Sequence, residues 1–351
     1  MILRNSTFLV LLIILINSCT SNEKIRILVS NPLDQQRNDA IILLTRSAIE
    51  NWQEIPEDQV PLLTDEADNP IPSQLDDLNN DGEWDELFAL TDMESLGQKT
   101  IVLTFISPDE YPSFEVRKNL RLGGNEPGYP ELLKAERLEG ITYHNHGRTG
   151  EVYQMEGPAW ENDMVGFRNY LDQRNGMDIF GKLTNEMVLD SVGIEGRQSY
   201  HEPDDWGMDV LKVGTSLGAG AIGYMFNDSI YRAGDNGSGT YEVLFEGSQR
   251  SRFNLTFTNW EVEDTPVDVI HQIEIVAGRH CFQSSVTYSG SDITMNLVPG
   301  IVNMKSDSLF FLKLNDYYSG LLTHDYQSED SSLLAMALII PTGYLKSPCN
   351  Q

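Results

Sequence analysis

The chain has 351 residues, with 53 acidic side chains against 24 basic ones and a formal net charge of -29. That balance excludes nucleic acid as a partner, because the field repels phosphate at long range; it suits an exported protein in salty water, where repulsion is screened within about 8 Å. Three cysteines are too few for a disulfide framework or a four-cysteine zinc site, so the core must hold the fold.

The chain opens MILRNSTFLVLLIILINSC. Arg4 precedes an apolar run, Phe8 to Ile16, that is too short to cross a bilayer and reads as a secretion signal. The "INSC" ending fits a bacterial lipoprotein cleavage site. Residues 1–18 are therefore expected to be removed and Cys19 lipidated. The expected location is extracytoplasmic, in the periplasm rather than at the cell surface, with membrane contact through the lipid anchor alone.

Residues 19–125 are expected to form a small β-sandwich. Strand-like runs appear in "KIRILVSNP", "DAIILLT", "IPSQLDD", "DELFALTD" and "QKTIVLTFI". Within this part, "DLNNDGEWDEL" places Asp77, Asn79, Asp81, Gly82 and Asp85 at the spacing of a calcium loop, with oxygen ligands alternating and Gly at the sharp turn. Phe88 stands where such a loop normally carries its bidentate Glu, and "NNDG" is a strong turn signal by itself. A structural calcium is one reading and a plain hairpin turn the other. The Pro- and Gly-rich stretch from Ser107 to Leu133 reads as a connection.

Residues 126–351 are expected to form a larger antiparallel β-sandwich. In "ITYHNHGRTG", alternation would put His144 and His146 on one strand face, roughly 7 Å apart. They are open to three readings: metal ligands with His201 or Glu156 as a third, acid–base or substrate contacts, or inert surface. The segment 143–215 is dense in polar and aromatic side chains, as befits loops that carry a site. "FRNYLDQRN" puts Arg168, Tyr170 and Asp172 on one face, with Arg174 in line if the strand persists. Such a set is costly to bury without partners, but it suits a wet cleft. Trp160 and Trp206 offer faces on which sugar rings stack, and Asp209 and Lys212 add charge nearby. "GTSLG" (214–218) matches a nucleophile elbow and "GAGAIG" (218–223) a dinucleotide fingerprint, but no alternating β/α pattern surrounds them. Ser216 is not expected to be a nucleophile, and the glycines are expected to let strands approach closely.

The last hundred residues alternate strictly. In "FNLTFTNWEV", Phe253, Leu255 and Phe257 oppose Asn254, Thr256 and Thr258; in "VIHQIEIVAG", Val269, His271, Ile273 and Ile275 share a face. "DITMNLVPGIVNM", "SLFFLKLNDYYSGLL" and "SLLAMALIIPTGYL" continue the pattern. Cys281 is expected to be a small buried residue.

The motifs "NPLDQQRND", "DDLNNDGEWDELFAL", "MEGPAWENDMVGFRNYLDQRNGMDIFGK" and "YHEPDDWGMDVLKVGTSLGAGAIG" resemble a domain family of unknown-function origin, across nearly the whole mature chain. Its members are secreted proteins or lipoproteins of polysaccharide-degrading bacteria. One branch is similar to an oligosaccharide dehydratase acting on ulvan, a sulfated polymer of rhamnose and uronic acids. The resemblance implies removal of water across C4–C5 of a non-reducing terminal glucuronate or iduronate, giving a 4,5-unsaturated uronate. It brings no catalytic assignments with it.

That chemistry needs a base at C5, a cation on the carboxylate and an acid for the leaving 4-hydroxyl. The expected base is His146 or His201, and the expected acid Tyr170 or Tyr143. Arg168 or Arg174 would clamp the carboxylate, with Lys212 as a further cation. His144, Trp160, Trp206 and Asp209 would line the sugar site. No cofactor is required. A lyase would use the same parts, since β-elimination differs only in the leaving group. Two other readings are a glycan-binding lipoprotein without catalysis and a glycosidase using two of Glu156, Glu161, Asp172 and Asp209. The expected architecture is all-β: the small N-terminal sandwich and a larger supersandwich of the mutarotase or lyase type. The expected partners are anionic, uronate-containing and sulfated oligosaccharides.

Overall fold

A computed structural model describes residues 24–124, 134–141, 152–194, 198–233, 238–262, 265–290 and 296–344. Strands hold 53% of the described residues and helix 5%, so the protein is all-β, as the alternation predicts. The chain divides into two compact units: Met1–Arg117 with Leu244–Ser251, and Lys118–Val243 with Arg252–Gln351.

The first unit holds β1 (Ile25–Ser30), β2 (Arg37–Thr45), β3 (Val60–Thr64), β4 (Ser73–Asp76), β5 (Glu86–Met93) and β6 (Gln98–Ile106). They form two antiparallel three-stranded sheets, β1-β6-β3 and β2-β5-β4. Ile27, Ile42, Leu44, Leu63, Leu87, Ile101 and Leu103 point into the core between them, with Ile49 from a single short helix, Arg46–Glu50. Thr45 caps that helix, its hydroxyl accepting from the Ala48 N–H. Arg250 lies buried in this unit, with Nε on Asp76 and Nη2 on Glu86 at 2.7 Å each, and its guanidinium over the Phe88 ring.

The second unit continues with β7 (Lys118–Arg121), β8 (Arg137–Ile141), β9 (Ala159–Asn162), β10 (Val165–Asn169), β11 (Met177–Lys182), β12 (Gly207–Asp209), β13 (Ala219–Phe226) and β14 (Ser229–Arg232). Then come β15 (Ser238–Glu246) and β16 (Arg250–Val262), of which residues 244–246 and 250–251 belong to the first unit, followed by β17 (Thr265–Val276), β18 (Phe282–Ser289), β19 (Leu297–Ile301), β20 (Phe310–Lys313), β21 (Tyr318–Asp325) and β22 (Leu334–Pro341). Two five-stranded sheets, β12-β11-β10-β9-β7 and β18-β17-β16-β15-β8, share one large core, and two three-stranded sheets complete the unit. Phe253, Leu255 and Phe257 are buried together with Val269, Ile273 and Ile275, the faces read from the alternation. His271 is buried with them and hydrogen-bonds the Ser284 hydroxyl at 2.5 Å. The expected connection after Ser107 contains a strand, β7, whose four residues are all buried. Cys281 is exposed rather than buried, since it leads into β18, an edge strand with no buried residue.

Candidate functional site

Strand register assembles the polar centre of the second unit. Arg168 on β10 stands directly opposite Asp178 on β11, and Phe180, two residues on, stands opposite Asp209 on β12. Residues opposite one another, and residues two apart on a strand, share a sheet face. Arg168, Asp178, Phe180 and Asp209 therefore converge. Arg168 Nη2 donates to Asp178 Oδ2 at 2.7 Å and to Asp209 Oδ2 at 3.0 Å, and it also contacts the Tyr170 hydroxyl. Nη1 donates to the Met155 carbonyl at 3.0 Å and to the Tyr200 hydroxyl at 2.8 Å. The Tyr170 hydroxyl donates to Asp178 Oδ2 at 2.9 Å.

Burial and the neighbouring Asp209 carboxylate push Asp178 up to about 7. Burial opposes the charge of Arg168, but Asp178, Tyr170 and Asp209 outweigh it and hold the guanidinium well above its ordinary value. The tyrosines Tyr170 and Tyr200 are raised, first by burial.

The loop between β11 and β12 folds back over this centre. Asp209 N–H donates to the Tyr200 carbonyl at 2.8 Å, and a bridge between Asp204 and Gly207 tightens the return. Gly207 adopts φ +130, and a Cβ there would overlap the Gly181 carbonyl oxygen. His201 consequently sits with Nδ1 3.3 Å from Asp209 Oδ2. Hydrogen bonding to Asp209 raises its pKa. Its Nε2 has no protein partner among the described residues. The arrangement is a solvent-facing imidazole held by a buried carboxylate, which can transfer a proton at Nε2.

Beside it, Met155 and Glu156 take φ of +54 and +61, a conformation that costs an L-residue roughly 1–2 kcal/mol each. The turn aims Glu156 at Arg168 (3.5 Å) and Arg174 (3.3 Å). Arg174 Nε and Nη2 grip Asp172, and its guanidinium lies 3.7 Å above the Tyr170 ring. β10 ends at Asn169, so Asp172 and Arg174 reach the centre from the following turn and not from a continuing strand. Arg174 Nη1 takes no protein partner among the described residues.

Three expectations need correction. Trp160 is wholly buried among Phe167, Phe253 and Phe282, because β9 lies in the interior of its sheet; it offers no face to a sugar. Arg168 is wholly buried and its terminal nitrogens are taken by internal partners, so it cannot clamp a substrate carboxylate. Tyr170 is likewise buried, with its proton committed to Asp178. Glu161 and Asp172 are buried too, paired with Lys182 (2.6 Å) and Arg174 (2.5 Å), which leaves Glu156 and Asp209 of the four carboxylates that the glycosidase reading draws on.

Trp206 is half-buried, edge-on to Phe180, and Lys212 is exposed. Ser216 closes a turn: its hydroxyl donates to the Val213 carbonyl at 2.7 Å and accepts from the Gly218 N–H at 3.0 Å. Gly218 (φ +74) brings its backbone against Met177, the close approach expected of these glycines. Tyr143, His144, His146 and Cys19 lie outside the described residues, as does Cys349. Asp178 and Tyr200, both central to the cluster, lie within the two longest motifs quoted from the sequence, where they carry no assigned role.

In the first unit, Asp77 accepts from the N–H groups of Asn80 at 2.6 Å and Gly82 at 2.8 Å, Asn79 from Asp81, and Asp81 from Glu83. Asp85 Oδ2 accepts from Leu78 N–H at 2.7 Å. Among the described residues no three His, Cys, Asp or Glu side chains gather as a metal site. A cleft of 930 Å³ in the same unit is lined by Glu50, Glu54, Glu57, Asp58 and Glu83 with Arg46 and Trp84. That excess of carboxylates repels an anionic sugar, so the cleft does not compete with the second unit for one.

Comparison with curated proteins returns no match. A family model described as a domain of unknown function, DUF4861, matches residues 29–351, and the chain therefore belongs to the DUF4861 family.

Proposed function

We propose that the protein is a carbohydrate-active dehydratase that removes water across C4–C5 of a non-reducing terminal uronic acid in ulvan-type oligosaccharides. The observation that carries this reading is His201: half-exposed, backed by the buried Asp209, and open at Nε2. β-Elimination next to a carboxylate is proton-transfer chemistry and needs no cofactor, which is what such a pair supplies. Arg174, with Nη1 unpartnered and its plane fixed on Tyr170, is the cation for the uronate carboxylate in place of Arg168. His146, the alternative base read from the sequence, and Tyr143, the alternative acid, are the candidates for the complementary proton transfer. Export, lipidation at Cys19 and the anionic oligosaccharide partner belong to the same proposal.

The test is incubation of the purified mature protein with saturated, uronate-terminated ulvan oligosaccharides. Absorbance in the unsaturated-uronate band should rise, and mass spectrometry should show loss of one water without chain cleavage. Shortened chains would instead make the protein a lyase. Binding without any rise would make it a glycan-binding lipoprotein.

A further inference from the structure

We infer that Asp178 is a positioning residue that keeps His201 in its imidazolium form, so that His201 enters the reaction as the acid; this assignment of role rests on the proposed elimination, whereas the protonation state does not. The argument begins from donors and acceptors. Asp178 Oδ2 accepts from Arg168 Nη2 and from the Tyr170 hydroxyl, and Oδ1 accepts from the Ile179 N–H at 3.1 Å. Asp209 Oδ2 accepts from Arg168 Nη2 and faces His201 Nδ1, and Oδ1 accepts from the Leu211 N–H at 3.2 Å. Every one of these contacts brings a donor to a carboxylate oxygen, the pattern that favours the ionised form.

Two carboxyl groups, each 1% exposed, then share a single buried guanidinium and also face one another, so one further proton is held by Asp178 or by His201. The centre is short of one positive charge, and a buried unbalanced charge is strongly disfavoured. The other charged groups facing it do not supply it. Arg174 is gripped by Asp172, and Glu156 adds negative charge; Tyr170 and Tyr200 are neutral. Among the described residues His201 is the remaining group that can become a cation in contact with the cluster, and its exposed side lets water solvate the charge. The upward shift of His201, first through its hydrogen bond to Asp209, agrees with this; that of Asp178 comes first from burial and then from Asp209, and marks Asp178 as the rival holder of the proton.

In the proposed reaction the imidazolium gives its Nε2 proton to O4 as the C4–O4 bond breaks, and O4 leaves as water. The C5–H electron pair becomes the C4=C5 π bond, and the C5 proton goes to the base. Neutral His201 then regains its proton from solvent through Nε2.

The experiment is nitrogen NMR of the full mature protein labelled at histidine, with His201 assigned by its loss in His201→Gln. In the parent, His201 should carry the imidazolium signature at neutral pH and titrate above the ~6.5 of a free imidazole. Asp178→Asn keeps the shape but leaves Arg168 balanced by Asp209 alone, so the His201 midpoint should fall towards that value. A merely structural Asp178 would lower the melting temperature and leave the midpoint in place. A parent midpoint at or below ~6.5, or one unmoved by Asp178→Asn, overturns the inference. Should Asp178→Asn not fold, the infrared spectrum of the parent decides: a buried protonated carboxyl band at neutral pH would place the proton on Asp178 and overturn the inference, and its absence beside an imidazolium His201 supports it. No substrate is involved, so absence of dehydratase activity would defeat the proposed function and leave this result standing.

Discussion

His201 and Asp209 meet across the line between solvent and core: 3.3 Å separates them, yet the imidazole is 55% exposed and the carboxylate 1%. A pair built this way can exchange protons with a ligand on one side while its orientation is fixed from the other. His201→Ala should lower the dehydration rate by about 10²–10⁴, the usual contribution of one proton-transfer group, with little change in KM. Asp209→Asn should retain binding and lose rate. Steady-state kinetics on uronate-terminated oligosaccharides separate the two parameters.

Trp160 carries packing and not recognition. Its replacement by Ala should cost about 3–5 kcal/mol of folding free energy, the range for deleting a buried Trp. Urea unfolding followed by far-ultraviolet circular dichroism would read the loss directly. A Trp160→Phe protein that folds should bind the sugar as the parent does.

Arg250 balances two carboxylates in the first unit, Asp76 and Glu86, each 2% exposed. Arg250→Met removes the cation and leaves both acids buried. The expected loss is about 3–5 kcal/mol, as for breaking a buried ion pair from one side. Arg250→Met combined with Asp76→Asn and Glu86→Gln should recover part of it, which a comparison of unfolding midpoints would show.

His271 predicts acid sensitivity. Burial pushes it down to about 3. The folded protein therefore binds fewer protons than the unfolded chain between that value and ~6.5, so the stabilising contribution is complete above ~6.5 and is lost progressively as pH falls. By pH 4 the loss amounts to about 3 kcal/mol. His271→Gln, which can keep a bond to Ser284, should flatten the dependence of unfolding free energy on pH over that window.

Asp77 holds its loop by accepting backbone N–H groups from four successive residues, Asn79 to Gly82. Asp77→Ala should expose this loop to limited proteolysis while the rest of the unit resists. Calcium should raise the melting temperature of the parent and not of Asp77→Ala; a parent indifferent to calcium makes the loop a plain hairpin turn.

Period-two alternation was enough to read β16 and β17, down to the inward direction of His271, because those strands have one core face and one wet face. β7 escaped the same reading. Its residues, Lys118, Asn119, Leu120 and Arg121, are all buried, and the polar ones are admitted by distant partners such as Asp190 for Asn119 and Gln154 for Arg121. Hydrophobic periodicity carries no trace of such partners.

At the site, the residue types of 156–209 pointed to a polar centre, but register decided their roles. Asn175-Gly176 looks like a two-residue hairpin turn, which would set Arg174 against Met177 and Asp178 against Gln173. The actual loop runs from Tyr170 to Gly176, and that shift puts Asp178 opposite Arg168. A cation read as a substrate clamp thereby becomes an internal counter-ion, and in the proposed function the clamp passes to Arg174.

The inclusion of Leu244–Ser251 in the first unit bears on the order in which the chain can fold. Asp76 and Glu86 are synthesised long before Arg250, which lies more than 130 residues beyond the end of the unit's first segment. At ~5–20 residues per second, on the order of ten seconds pass before the guanidinium that neutralises them exists. Until then the N-terminal sequence has two acids with no counter-ion and cannot close its core around them. The part of the protein made first is completed late, a delay that would serve the proposed export by holding the nascent chain open for threading.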